Sequence, residues 1–435
     1  MKGLDALFED HARRPVPQKR RVTGWHILLI NVGVVLTLPA YLTAGKIGLN
    51  VGLTGTIVAT LAASVILAGV GSVTGYIGAK TQLSTYMILR AAFGKNGAKV
   101  TNFVLAATLL GWFGVTAAFF GQATNALSVE HLHFELGVTT WTLVGTALMI
   151  TTAMFGFKGL DRLSILAIPL LFVLILAALD RSLGETSLSA IATYTNTKGF
   201  PVGAAVSMIV GGWMVGAVVM PDLSRYAETP AHGWIGAGAS FLCGNVIVVI
   251  PCAILAIATH EADIVRDVVS FGWSTWALVL IVVSAWTTND NNIYSTSLSI
   301  ASIFERIAKW KITIAAGIAG GALAAAGIMS QLIPFLVALG ILVPPVAGIF
   351  ATDFFLRERG HLSDFGAEPP AFRWQAFVVW VAASGIAYAT QPAEIGGLGL
   401  FAITRIPALD ALLISSFGYF VLHRSSVRHD KHDRA

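Results

Sequence analysis

The chain has 435 residues, of which 55% are hydrophobic and 12% charged, and its formal net charge is +5. A soluble domain carries about 25% charged residues, and a soluble chain this apolar would expose large greasy patches. A water-soluble class is therefore excluded, and the positive balance reads as membrane-topology charge with no nucleic-acid partner.

Residues 1–22 are polar and basic and lack the short apolar core of a cleaved signal peptide. They read as a cytoplasmic N-terminal tail. Apolar runs follow at roughly 24–46, 51–79, 101–127, 139–157, 163–180, 204–223, 232–259, 271–297, 312–329, 331–356, 374–393 and 406–422. A spanning helix needs about 20 apolar residues, so these predict about twelve transmembrane helices, here called spans 1 to 12. The fold class is all-α and integral to the membrane, with membrane lipid as its surroundings. Spans 9 and 10 are separated only by Ser330 and Gln331. Between spans 2 and 3, residues 82–99 predict an amphipathic cytoplasmic helix ending in a turn at Gly94–Gly97. Cys243 and Cys252 lie inside apolar runs and read as buried packing thiols, which excludes a disulfide framework. The segment 423–435 is a second polar tail.

Cytoplasmic loops of membrane proteins are enriched in Lys and Arg. With the N-terminus inside and the spans alternating, 23 of the 28 Lys and Arg fall inside. The five outside are Lys46, Arg181, Lys198, Arg266 and Arg405. This supports an even number of spans in a cell (inner) membrane with both termini cytoplasmic.

Three spans break the apolar rule. Span 1 carries Asn31, Gly33, Thr37 and Pro39, and span 6 carries Gly203, Gly211, Gly212, Gly216 and Pro221. The two lie five spans apart, as in transporters whose broken helices occupy matching places in two inverted repeats. Ordinary Gly and Pro usage in membrane helices is the plainer reading. Span 8 reads Ser284-Ala285-Trp286-Thr287-Thr288-Asn289-Asp290-Asn291-Asn292 within apolar flanks. Such a stripe is costly in lipid and must face protein or a water-filled site. Thr287 and Thr288 offer hydroxyl oxygens to a cation, and Ser284 shares their helical face. Asn289 offers both donor and acceptor to a planar ligand. Asp290 can bind a cation, carry a proton or pair with an Arg. Trp112 in span 3 and Trp213 in span 6 are either packing rings or two faces of a sandwich around a flat ligand.

Taken together, Gly111-Trp112-Phe113-Gly114-Val115, Pro221-Asp222-Leu223-Ser224-Arg225-Tyr226-Ala227, Trp286-Thr287-Thr288-Asn289-Asp290-Asn291 and residues 82–97 resemble signatures of the nucleobase–cation symport family, the cytosine permease and hydantoin transporter group. The resemblance covers most of residues 20 to 360. It implies a leucine-transporter-like fold of two five-helix inverted repeats, 23–180 and 200–356, with two additional helices in 374–422. It implies alternating access, in which spans 1, 2, 6 and 7 rock against spans 3, 4, 8 and 9. The protein is then a secondary transporter of a small heterocycle that can act as a monomer, and not an enzyme, with no cofactor beyond Na+ as coupling ion. By motif, the cation would be held by the carbonyls of Gly33 and Leu36 with Ser284, Thr287 and Thr288. The substrate would lie between Trp112 and Trp213, with Asn289 at its edge and Thr37 and Thr116 nearby. Cytosine is the leading substrate. Leu109, Thr116, Gly212 and Val215 depart from the polar residues expected at those places, so a purine, hydantoin or allantoin remains open, as does proton coupling. The spans hold no HExxH pattern, clustered metal set or Ser–His pair that would point to an enzyme.

Overall fold

The computed structural model describes residues 21–133, 136–155, 160–196, 199–273, 275–304, 306–357 and 369–432. The tail before Arg21 and the loop residue His361 lie outside the described residues. Each apolar run carries helix: Gly24–Val35 and Leu38–Thr81 for spans 1 and 2, then Gly97–Leu132, Val138–Phe155, Leu160–Glu185, Val202–Val218, Pro230–Thr259, Thr275–Ile303, Lys309–Ala325, Leu332–Leu342 with Pro344–Arg357, Trp374–Thr390 and Pro407–His432. Five of these are long and apolar enough to cross a membrane on length and composition alone. Spans 1 and 2 run on through Gly52, whose φ of 70° and ψ of 179° turn the chain back. A side chain there would also collide with the Tyr194 carbonyl at 2.6 Å, so only glycine fits. The amphipathic helix forms at Thr85–Phe93 and ends at Gly94, with a φ of 86°. Spans 9 and 10 are divided by Gly327 and a short 3₁₀ turn, Ile328–Gln331. One expectation fails: Cys252 is buried, but Cys243 is exposed on the flank of span 7.

A backbone group without a partner is expensive in a bilayer, so each break in a helix raises the question of where its hydrogen bonds go. Pro221 has no N–H to give to the Ala217 carbonyl four residues earlier. The Thr74 hydroxyl of span 2 donates to that carbonyl instead, at 2.7 Å. Pro345 likewise frees the Ile341 carbonyl, and the Val346 N–H turns to Val343, which leaves Leu342 without its usual donor. Span 11 supplies both: Trp380 Nε1–H donates to Leu342 at 2.8 Å and the Ser384 hydroxyl to Ile341 at 3.3 Å.

Spans 1, 2, 6 and 7 pack through small residues. A Cβ on Gly75 would sit 2.5 Å from the Gly233 carbonyl oxygen, and one on Gly78 would sit 2.5 Å from Pro221 Cα. Gly24 and Gly236 bring the first half of span 1 onto span 7, where Asn31 Nδ2 donates to Ser240 Oγ at 2.7 Å. A bridge between Val22 and Ala227 ties the chain ahead of span 1 to the end of span 6. Spans 3, 4, 8 and 9 form a second group in the same manner, with Gly320 against Phe113, Gly317 against Ile150 and Gly321 against Thr146. Spans 11 and 12 flank span 10, where the Tyr419 hydroxyl donates to buried Asp353 at 2.8 Å.

Overpacking such a contact costs typically about 1–3 kcal/mol. Gly75→Leu is expected to lower the detergent melting temperature by several degrees, whereas the same change at Gly69, where a Cβ meets nothing within 4 Å, is expected to leave it unchanged. Fluorescence-detected size-exclusion melting checks the pair.

Candidate functional site

The break in span 1 differs from the other two. Leu36 and Thr37 leave the helix, with Thr37 extended at φ −133° and ψ 157°. The Thr37 N–H donates to the Val35 carbonyl at 3.0 Å, and the Ala40 N–H to the Thr37 carbonyl at 3.0 Å. In an unbroken helix those two N–H groups would serve Gly33 and Leu36. The carbonyls of Gly33 and Leu36 thus lose their ladder donors at membrane depth. Thr37 itself is half-buried.

Span 8 stays helical through its polar stripe, and Ser284, Thr287, Asn289 and Asp290 are all at most 3% exposed. The stripe has more than one facing. Asn289 Nδ2 donates to the Phe113 carbonyl of span 3 at 3.0 Å and to Met149 Sδ of span 4 at 3.4 Å. Its Oδ1 accepts from Asn292 Nδ2 at 3.1 Å. Asp290 turns to span 4, where the Thr152 hydroxyl donates to it at 2.9 Å and itself accepts Trp286 Nε1–H at 3.1 Å. Among the described residues Asp290 therefore has a hydroxyl partner and no Arg or Lys. The Thr287 hydroxyl donates to the Ser284 carbonyl at 3.1 Å, one turn back. Thr288 is half-buried beside it.

Asn289 meets span 3 at the carbonyl of Phe113, the residue after Trp112 in the chain. Trp112 is half-buried and lies edge-on to Phe335 of span 10, with ring centroids 5.3 Å apart at 75°. A Cβ on Gly212 would lie 4.0 Å from Trp112 Cζ2, so span 6 passes the indole at its glycine. Trp213, the next residue, is half-buried. Thr116 is fully buried and its hydroxyl donates back to the Trp112 carbonyl at 2.9 Å, so its proton is used within span 3. Phe335 was not singled out from sequence. Its ring crowds Gly111, where a Cβ would sit 2.4 Å from it, and nothing local in an apolar run announces such a contact.

Residues 15–392 match the family model described as "Permease for cytosine/purines, uracil, thiamine, allantoin". The chain belongs to this family. Among curated members of the permease family, the cytosine permease of Escherichia coli (strain K12) is 27% identical over 420 residues, covering 94% of this chain and 93% of the relative. The hydantoin permease of Microbacterium maritypicum is 24% identical, covering 74% and 72% of the two chains. The allantoin permease of Bacillus subtilis (strain 168) is 25% identical, covering 80% and 78%. The inward-facing conformation of Mhp1 superposes with a TM-score of 0.84 at 18% identity, over 95% of this chain and 93% of that one. A closed Mhp1 with bromovinylhydantoin bound gives 0.75, again at 18% identity, over 96% and 94% of the chains. The permease is therefore a multi-pass membrane transporter with the leucine-transporter-like fold, in which two inverted five-helix repeats are joined by two more helices.

Removing one partner of a buried hydrogen-bonded group costs about 1–3 kcal/mol. Asn289→Ala leaves the Phe113 contact and the Asn292 amide unserved, so the detergent melting temperature is expected to fall by several degrees in the size-exclusion melting assay. Asn292→Ala, one contact further out, is expected to have a smaller effect.

Proposed function

We propose that this permease imports cytosine, or a heterocycle of similar shape and hydrogen-bonding edge, together with Na+. The observation that carries the reading is the pair of carbonyls, Gly33 and Leu36, whose helical donors are used elsewhere. With the oxygens of Ser284, Thr287 and Thr288 they would make a set of neutral oxygen donors. Neutral oxygens fit a hard monovalent cation, whereas sites for Ca2+ or Mg2+ recruit carboxylates. The bound ion would neutralise the exposed carbonyl dipoles and tie span 1 to span 8.

The substrate would lie against the Trp112 indole, with Trp213 on its far side, Asn289 at its edge, and Thr37 and Thr116 at the margins. The relatives named above carry cytosine, hydantoin and allantoin in their descriptions, and the cytosine permease covers the largest share of this chain among those three. The repeats run over 23–180 and 200–356, followed by 374–422. Lys80, Arg90, Lys95, Arg225 and Arg373 gather on the side that also holds the start of span 1, which supports assigning that side to the cytoplasm.

Uptake of labelled cytosine, uracil, adenine, hydantoin and allantoin, with and without sodium in a transport-deficient cell, tests the reading. Cytosine uptake is expected to be stimulated by sodium. Thr288→Ala is expected to abolish most of that stimulation while changing cytosine affinity at saturating sodium by less than about threefold. Uptake that ignores sodium and collapses with a protonophore would replace Na+ by a proton in this scheme.

A further inference from the structure

Two grooves flank the start of span 7, on the side that also holds the start of span 1. The first encloses about 350 Å³ between Tyr76 of span 2, Ala231, Trp234 and Ile235 of span 7, and Phe355 of span 10. The second encloses about 280 Å³, with Trp25 and Leu28 of span 1 facing Ile235 and Gly236 of span 7. Ile235 lines both and forms the ridge between them. Trp25, Trp234, Ile235 and Phe355 are all exposed, so the grooves face outward and not into the transport path. The walls of the first are braced ring on ring. Tyr76 lies edge-on to Trp234 at 6.3 Å and stacks on Phe355 at 6.2 Å.

In a bilayer, apolar surface is already solvated by acyl chains, so greasiness alone selects no occupant. The rim of the first groove supplies the selection. Lys80, one turn beyond Tyr76 at the end of span 2, donates from Nζ to the Tyr76 hydroxyl at 3.1 Å, and its ammonium lies 5.4 Å from the centre of that ring. An ammonium has three N–H donors, and the phenol takes one of them. Among the described residues Lys80 pairs with no carboxylate. Glu228, three residues before Ala231, is turned to His232 at 3.5 Å. A positive charge thus stands where the lining rings end. Tryptophans such as Trp25 and Trp234 favour the level at which acyl chains give way to headgroups.

We propose that one anionic glycerophospholipid occupies this face, with an acyl chain in each groove astride Ile235 and its phosphate on Lys80. Charge and shape carry separate parts of the recognition. A basic residue beside an anionic headgroup is worth about a fivefold preference. The two free N–H donors of Lys80 give charge-assisted bonds to phosphate oxygens, which fix where the headgroup sits. Two grooves separated by a single residue match two chains that leave one glycerol. A second copy of the permease, docked here by two-fold symmetry, would bring its own Lys80 into the same interface and set like charges together. The bound lipid touches spans 1, 2 and 7 and the end of span 10, so it ties span 10 to the first group of spans.

Native mass spectrometry of the delipidated permease, titrated with lipid, tests the site without reference to substrate or coupling ion. Phosphatidylglycerol is expected to bind first as a single adduct, at least about fivefold more tightly than phosphatidylcholine with the same chains. Lyso-phosphatidylglycerol keeps the headgroup with one chain and is expected to bind several-fold more weakly than the two-chain lipid. Lys80→Gln is expected to bring phosphatidylglycerol down to the level of phosphatidylcholine. Lys311→Gln removes a lysine that lies over the Trp310 ring at the start of span 9, outside the walls of both grooves, and is expected to change nothing. Ala231→Phe puts a ring into the first groove at an exposed position and is expected to weaken both two-chain lipids. The proposal is overturned if the two headgroups bind alike, if Lys80→Gln and Lys311→Gln act alike, or if one chain binds as tightly as two. Lipid binding that ignores Ala231→Phe, or a dimer that carries no lipid, overturns it as well.

Discussion

Inside a bilayer a carbonyl that loses its helical donor has no water to turn to. Among the described residues spans 1, 6 and 10 are broken, and the protein treats the breaks in two ways. At Pro221 the orphaned Ala217 carbonyl is served by Thr74, and at Pro344–Pro345 the Leu342 and Ile341 carbonyls are served by Trp380 and Ser384. At Leu36–Thr37 the N–H groups that would have served Gly33 and Leu36 are spent on Val35 and Thr37. The repaired breaks bend or shorten a helix and hold neighbouring spans in register. At the span 1 break no such donor is present among the described residues, and in the proposed scheme a ligand takes its place. In this account the whole transport cycle depends on that difference.

The surrounding architecture allows the break to be used. Glycine-mediated contacts weld spans 1, 2, 6 and 7 into one body and spans 3, 4, 8 and 9 into another, so relative motion concentrates between them. The Gly33 and Leu36 carbonyls lie on the first body and the hydroxyls of span 8 on the second. A cation bridging them changes the relative free energy of arrangements in which the two bodies are close or apart, and a heterocycle between Trp112 and Trp213 does the same. Two ligands that favour the same arrangement strengthen each other's binding, which is the thermodynamic content of symport. In the proposed scheme Asn289 would couple the two, because it lies on span 8 and is bonded to the span 3 backbone at Phe113.

Much of this was legible in the residues themselves, because hydrophobic runs and helix breakers act locally. All twelve apolar runs became helix, the pairing of Thr37 with Pro39 marked the first break, and Pro221 marked the second. The polar stripe from Ser284 to Asn292 stood out because it lies within a single span. What escaped was set by partners far away in the chain. Nothing near Asp290 announces Thr152, 138 residues earlier, and nothing near Trp112 announces Phe335. Thr116 looked available to a ligand, yet its proton returns to its own helix. Cys243 and Cys252 are alike in sequence context, but only one faces the protein, since which side of a uniformly apolar helix meets lipid is decided by its neighbours.

The most direct test of the shared site is equilibrium binding of cytosine to the purified permease, titrated over a range of sodium concentrations at constant ionic strength. If the span 1 carbonyls and span 8 hydroxyls hold one ion that steadies the pocket, cytosine affinity rises with sodium and levels off, by roughly 5- to 150-fold as typical coupling energies allow. Cytosine binding that is tight and indifferent to sodium would contradict it.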